Sequence, residues 1–173
     1  AAFCLLLAAV VSGCGGKTST APIVNGSHYT PRTRNYYIAA DEVEWNFTPL
    51  GINAITGQPF DEVAQVFVAQ GPDRIGATYR KAIYRAYTDS NFTTLAPRDP
   101  AWAHAGILGP VVRGVVGDTI RIWFRNNATQ PYSMHPHGVR YAKDSEGAGY
   151  DDGSSGADTL DNAVPPGATR RLT

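Results

Sequence analysis

Apolar and polar residues alternate with a period of two in several short runs. Over residues 42–47 (EVEWNF), Val43, Trp45 and Phe47 alternate with polar neighbours, the pattern of a half-buried strand. Residues 64–70 (AQVFVAQ) form another apolar run of strand length. In residues 81–89, Ala82, Tyr84 and Ala86 interleave with Lys81, Ile83, Arg85 and Tyr87, so both faces carry apolar mass. In residues 118–126, Ile120, Ile122 and Phe124 share one face, with Arg121, Trp123 and Arg125 on the other. Gly, Pro and Asp cluster at 49–51, 71–73, 99–100, 109–110 and 117–118 and separate these runs. The pattern predicts an all-β sandwich of short strands, without a helix of convincing length and without internal repeats. Residues 168–173 begin a further strand after the turn at 164–167, and a fragment lacking the last strands of the sandwich is expected.

Composition agrees with that picture. The 173 residues suffice for one domain with a core, and 18 Gly and 12 Pro beside 9 Tyr favour turns and strands. Fifteen basic and fifteen acidic residues balance, and no basic run occurs, so nucleic acid is not an expected partner.

The start of the chain has a different character. Residues 1–16 are apolar and end in small residues, too short to span a bilayer but suited to an export signal whose beginning is missing. Val11-Ser12-Gly13-Cys14 resembles the lipobox of bacterial lipoproteins. That resemblance implies a signal segment over 1–13, cleavage before Cys14, lipid attachment to its thiol and a membrane-anchored, exported protein. The polar stretch through residue 33 then reads as a flexible tether (14–33), and the folded domain as 34–173. Cys4 and Cys14 are the only cysteines, so the domain has no disulfide and no thiolate for metal binding or nucleophilic catalysis.

Candidate chemistry centres on YSMHPHGVR, residues 132–140. In extended backbone, side chains at i and i+2 leave the same face with Cα atoms about 6–7 Å apart. His135 and His137 therefore suit two neighbouring metals better than one shared ion. Pro136 pushes His135 toward extended geometry and keeps the segment out of a regular ladder, at an edge or rim. Gly138 lets the backbone turn after the second histidine. Neutral imidazole suits copper or zinc, and the lack of thiolate or carboxylate partners favours copper. Spacing alone leaves two exposed loop histidines as an equal alternative.

Residues 71–89 (GPDRIGATYRKAIYRAYTD), 107–126 (ILGPVVRGVVGDTIRIWFRN) and 131–150 (PYSMHPHGVRYAKDSEGAGY) together resemble the first cupredoxin domain of multicopper oxidases, in the ceruloplasmin/hephaestin branch. The resemblance implies a Greek-key β-sandwich. It also implies that His135 ligates the type 2 copper and His137 one type 3 copper of a trinuclear cluster. In that family the cluster reduces dioxygen to water with electrons from a substrate such as a metal ion or phenol. Neither a type 1 copper cysteine nor a second H-x-H occurs here, so the cluster would be completed by other cupredoxin domains or a partner subunit, and this chain alone would be inactive. His28 and His104 match no ligand.

The glycine-rich acidic stretch 143–164 is a solvated loop by composition. The resemblance instead implies calcium, with Lys143 (through its carbonyl), Asp158, Asp161 and Asn162 at the matching positions, two of them with side chains that differ from the family's. A non-catalytic A-type domain with a structural or interaction role, and a periplasmic copper-binding protein, are the rival functional classes. No phosphate loop and no G-x-S-x-G elbow occurs, and a hydrolytic pair of Ser133 and His135 is not expected.

Overall fold

The computed structural model describes Ile23–Val24 and residues 27–173. The expected signal segment and the lipid-attachment residue Cys14 lie outside the described residues. Among the described residues, eight β-strands and one α-helix follow in chain order. These are β1 (Ile23–Val24), β2 (Ser27–His28), β3 (Thr33–Asn46), α1 (Glu62–Val68), β4 (Gln70–Gly71), β5 (Arg74–Ile75), β6 (Thr78–Tyr87), β7 (Thr119–Asn126) and β8 (Thr169–Leu172), with isolated bridges between Tyr87 and Leu95 and between Tyr132 and Val164. The molecule is all-β in character.

One four-stranded sheet organises it, in the order β6-β3-β7-β8. β3 pairs antiparallel with β6 and parallel with β7, and β8 closes antiparallel on β7. The alternation in β7 holds: Phe124 is fully buried, and Ile122 packs on the same cluster. That face carries the core of Ala40, Phe124 and Val164, flanked by Tyr84, Tyr132, Met134 and Ala168. Loop residues from 131–168, rather than a second large sheet, supply the covering layer among the described residues. On the opposite face, buried Asp41 accepts hydrogen bonds from Arg85 (2.7 Å), Tyr87 (2.8 Å) and Asn127 (2.8 Å). The pairing and the three donors together offset the cost of burying that carboxylate.

Two expectations are corrected. Residues 64–70 are not one strand: 64–68 lie in α1, capped by Asp61, whose carboxylate accepts the Ala64 amide at 2.8 Å, and Gln70 begins β4. Val63, Val66 and Phe67 stand at i, i+3 and i+4, the helical spacing, yet all three are exposed. The strand expected at 42–47 begins much earlier, at Thr33. Around the boundary expected between tether and domain, the buried side chain of Asp118 holds Tyr29, Arg32 and Arg34. Its carboxylate accepts from the Tyr29 hydroxyl (2.7 Å), the Arg32 amide (3.0 Å), the Val115 amide (3.0 Å) and the Arg34 guanidinium. Burial alone would raise the Asp118 pKa, but Arg34 and the other donors outweigh it and hold the carboxyl well below the usual carboxylate range.

Candidate metal centre

The histidine pair is positioned from its backbone outward. Buried Asn126, at the end of β7, donates to the carbonyls of Gln130 (2.7 Å) and Val164 (2.8 Å) and accepts from Ala128 (2.9 Å). This clamps the entry to the segment against residue 164, where Tyr132 and Val164 bridge. The Tyr84 hydroxyl, reaching out from β6, donates to the Ser133 carbonyl. Burial, and then the neighbouring Tyr132, push the Tyr84 phenol above its usual range, so it stays a donor. The segment bearing the histidines has no regular ladder, as Pro136 requires, and Gly138 turns the chain with φ +72.

His135 is half-buried and His137 exposed. Their rings meet edge to face, centroids 4.6 Å apart and 85° between planes, with Tyr141 and Tyr150 beyond the His135 ring at 6.1 and 6.5 Å. The Nδ1 atom of His135 lies 2.6 Å from the Glu146 carbonyl. A carbonyl only accepts, so Nδ1 carries the proton, and Nε2 keeps a lone pair for a metal. Sequence reasoning expected such an acceptor but could not name it, because a backbone carbonyl has no residue-type signature.

The Glu146 carbonyl is held by tight packing. Gly147 has φ +68, and a Cβ there would fall 1.8 Å from the Met134 carbonyl oxygen. Only glycine fits both the left-handed backbone and this approach. Lys143 braces the same loop, its amine 2.5 Å from Glu146 and 2.6 Å from Asp152. Asp152 and then Glu146 hold the lysine above its usual range, and Lys143 with Ser154 holds Asp152 below the carboxylate range.

Of the residues expected at a calcium site, Lys143 opens the 3₁₀ turn Lys143–Ser145 and Asp158 lies in the 3₁₀ turn Gly156–Thr159. The two turns pack together. Asp161 is 2% exposed, and its Oδ1 and the Oδ1 of Asn162 are buried without a hydrogen-bond partner. Two orphaned hard oxygens on adjacent residues are costly unless a cation or water meets them, and carboxylate and amide oxygens are the donor type that calcium takes. Asp158 is exposed, and the Lys143 carbonyl accepts the Glu146 amide at 3.3 Å.

Among the described residues, no cluster of three or more His, Cys, Asp or Glu side chains is placed to hold a metal. His28 lies in β2, and exposed His104 sits against Trp102 in the turn Pro100–Ala105. Neither belongs to the loops that bear the pair. The candidate site therefore offers two imidazoles among the described residues.

The family model described as multicopper oxidase matches residues 87–172. The chain is 51% identical over 137 residues to human ferroxidase HEPHL1, covering 78% of this chain and 12% of that protein. It is 50% identical to human hephaestin over 139 residues (79% of this chain, 12% of the relative). It is 43% identical to human ceruloplasmin over 157 residues (88% and 14%). The chain thus spans only about an eighth of the length of these relatives.

Proposed function

The chain belongs to the multicopper oxidase family, in its ceruloplasmin- and hephaestin-like branch, and from that premise we propose that it supplies copper ligands to an exported oxidase. His135 ligates the type 2 copper and His137 one type 3 copper of a trinuclear cluster, with the remaining ligands coming from other cupredoxin domains or a partner subunit. The two imidazoles would hold coppers that, with the rest of the cluster, would supply the chemistry for reducing dioxygen to two waters with four protons and four electrons drawn from a substrate. Ferrous ion is the substrate favoured by the relative named a ferroxidase.

One observation carries this reading: the bond from His135 Nδ1 to the Glu146 carbonyl leaves Nε2 free beside a second imidazole. A hydrogen bond that fixes the tautomer of one imidazole is what a ligand needs and an idle surface histidine does not. The orphaned oxygens of Asp161 and Asn162 support calcium in the neighbouring loop. The small-residue sequence up to Cys14 supports a lipid anchor on the exported protein.

The test is oxygen uptake by the full-length, copper-loaded protein given ferrous ion, with the type 2 copper signal followed by electron paramagnetic resonance (EPR). His135→Ala should abolish that signal and His137→Ala should disrupt the type 3 pair, each dropping uptake to background. Unchanged uptake and copper content in both variants would exclude these residues as ligands.

A further inference from the structure

The copper and calcium readings have so far concerned separate residues, but one peptide group joins them. The bond between Glu146 and Gly147 presents its C=O to His135 Nδ1 at 2.6 Å and its N–H to Asp161 Oδ2, also at 2.6 Å. In a trans peptide these two groups point in opposite directions from one rigid plane. A buried carboxylate, a peptide and an imidazole therefore stand in line. The other carboxylate oxygen, Asp161 Oδ1, is buried and unpartnered, as is Asn162 Oδ1 on the next residue.

We propose that Asp161 is a positioning residue for His135, acting through the Glu146–Gly147 peptide, so that cation binding at Asp161 and copper binding at His135 are coupled. The proposal rests on the copper reading given above.

The physical basis is twofold. A carboxylate accepting the Gly147 N–H polarises the peptide and makes the Glu146 carbonyl a stronger acceptor for the imidazole N–H. This stabilises the Nδ1-protonated tautomer and fixes the orientation of the ring. The peptide is also packed closely on the backbone of the pair, since a Cβ added at Gly147 would meet both the Met134 carbonyl and the His135 amide nitrogen. A shift at Asp161 is therefore passed on toward His135. A divalent cation taking Asp161 Oδ1 and Asn162 Oδ1 restrains that carboxylate and competes for its charge. By linkage, copper at His135 changes the affinity of the cation site by the same factor.

The experiment uses full-length, copper-loaded protein and reads the type 2 copper EPR spectrum with calcium chelated and after calcium is returned. The wild-type spectrum should differ between the two states. Asp161→Asn retains an oxygen for Gly147 but not the charge, and should keep copper while losing the calcium response. Asp161→Ala removes both, and should weaken copper retention at the type 2 site by about 10–100-fold, the range found for residues that orient metal ligands. A wild-type spectrum indifferent to calcium overturns the coupling even if Asp161→Ala does not fold. A folded Asp161→Ala protein with wild-type copper affinity and spectrum overturns the positioning role. His135→Gln separates the two levels: if it leaves the type 2 signal intact, the ligand assignment itself falls, and the coupling with it.

Discussion

Gly147 shows how much a single position contributes to the centre. A methyl group there would enter the Met134 carbonyl at 1.8 Å, and φ +68 already disfavours any L side chain. The left-handed backbone alone costs about 1–2 kcal/mol for a residue with a Cβ, and the clash must be relieved by moving either the loop or the histidine segment. Gly147→Ala is therefore expected to destabilise the protein by more than that and to displace the Glu146 carbonyl from His135. Thermal unfolding together with copper stoichiometry checks both effects. Asn126 makes a complementary case. Replacing it with alanine leaves the buried Ala128 amide without its acceptor and takes a donor from the Gln130 and Val164 carbonyls, of which the latter keeps the Tyr132 amide. An unmet buried group costs about 1–3 kcal/mol, so Asn126→Ala should lower stability by an amount in that range. Hydrogen exchange should localise the loss to Ala128 and residues near Val164.

Element by element, the chain differs in how openly it declares itself. β7 was legible because one face meets the core and the other does not, which enforces strict alternation. β3 was legible only over its outer third. Its centre, Ile38-Ala39-Ala40-Asp41, is buried on both sides and lies between two strands, so alternation disappears. α1 was hidden because seven residues cannot distinguish helical from strand period; the Asp61 cap was the available signal. The histidine pair was legible from motif and resemblance, whereas its hydrogen-bond partner, a backbone carbonyl eleven residues on, was not. The junction between β3 and the turn before β7 carries its own prediction. The Asp118 carboxyl is depressed in the folded state, so its contribution is present above its unfolded value of about 3.8 and is lost as pH falls below that toward the folded value. Asp118→Asn should be less stable than wild type near neutrality, and the gap should narrow as pH drops through 4. Unfolding midpoints measured across that range give the comparison, and a gap that widened on acidification would contradict the ion-pair account.

At the scale of the whole molecule, the described residues leave the centre open on one side. A groove of about 860 Å³ is lined by Ile120, Ile122, Met134 and Leu172 together with both histidines. Val116 and Val139 in its lining are exposed, and apolar area left in water is unfavourable in proportion to its extent. On the proposed copper reading the same region offers two imidazoles, and no cluster of three or more His, Cys, Asp or Glu side chains occurs among the described residues. Both deficits should then be remedied by one event, the docking of whatever supplies the remaining ligands. The chain produced alone is expected to bind an apolar fluorescent dye in the groove and to hold copper(II) weakly at its paired imidazoles. In the full-length protein dye binding should disappear while copper becomes firmly held. Comparing dye fluorescence and copper titrations of the two forms checks this. If the dye bound equally to both while copper tightened, the ligands would come from a partner that leaves the groove open, and covering the groove would be unrelated to completing the cluster.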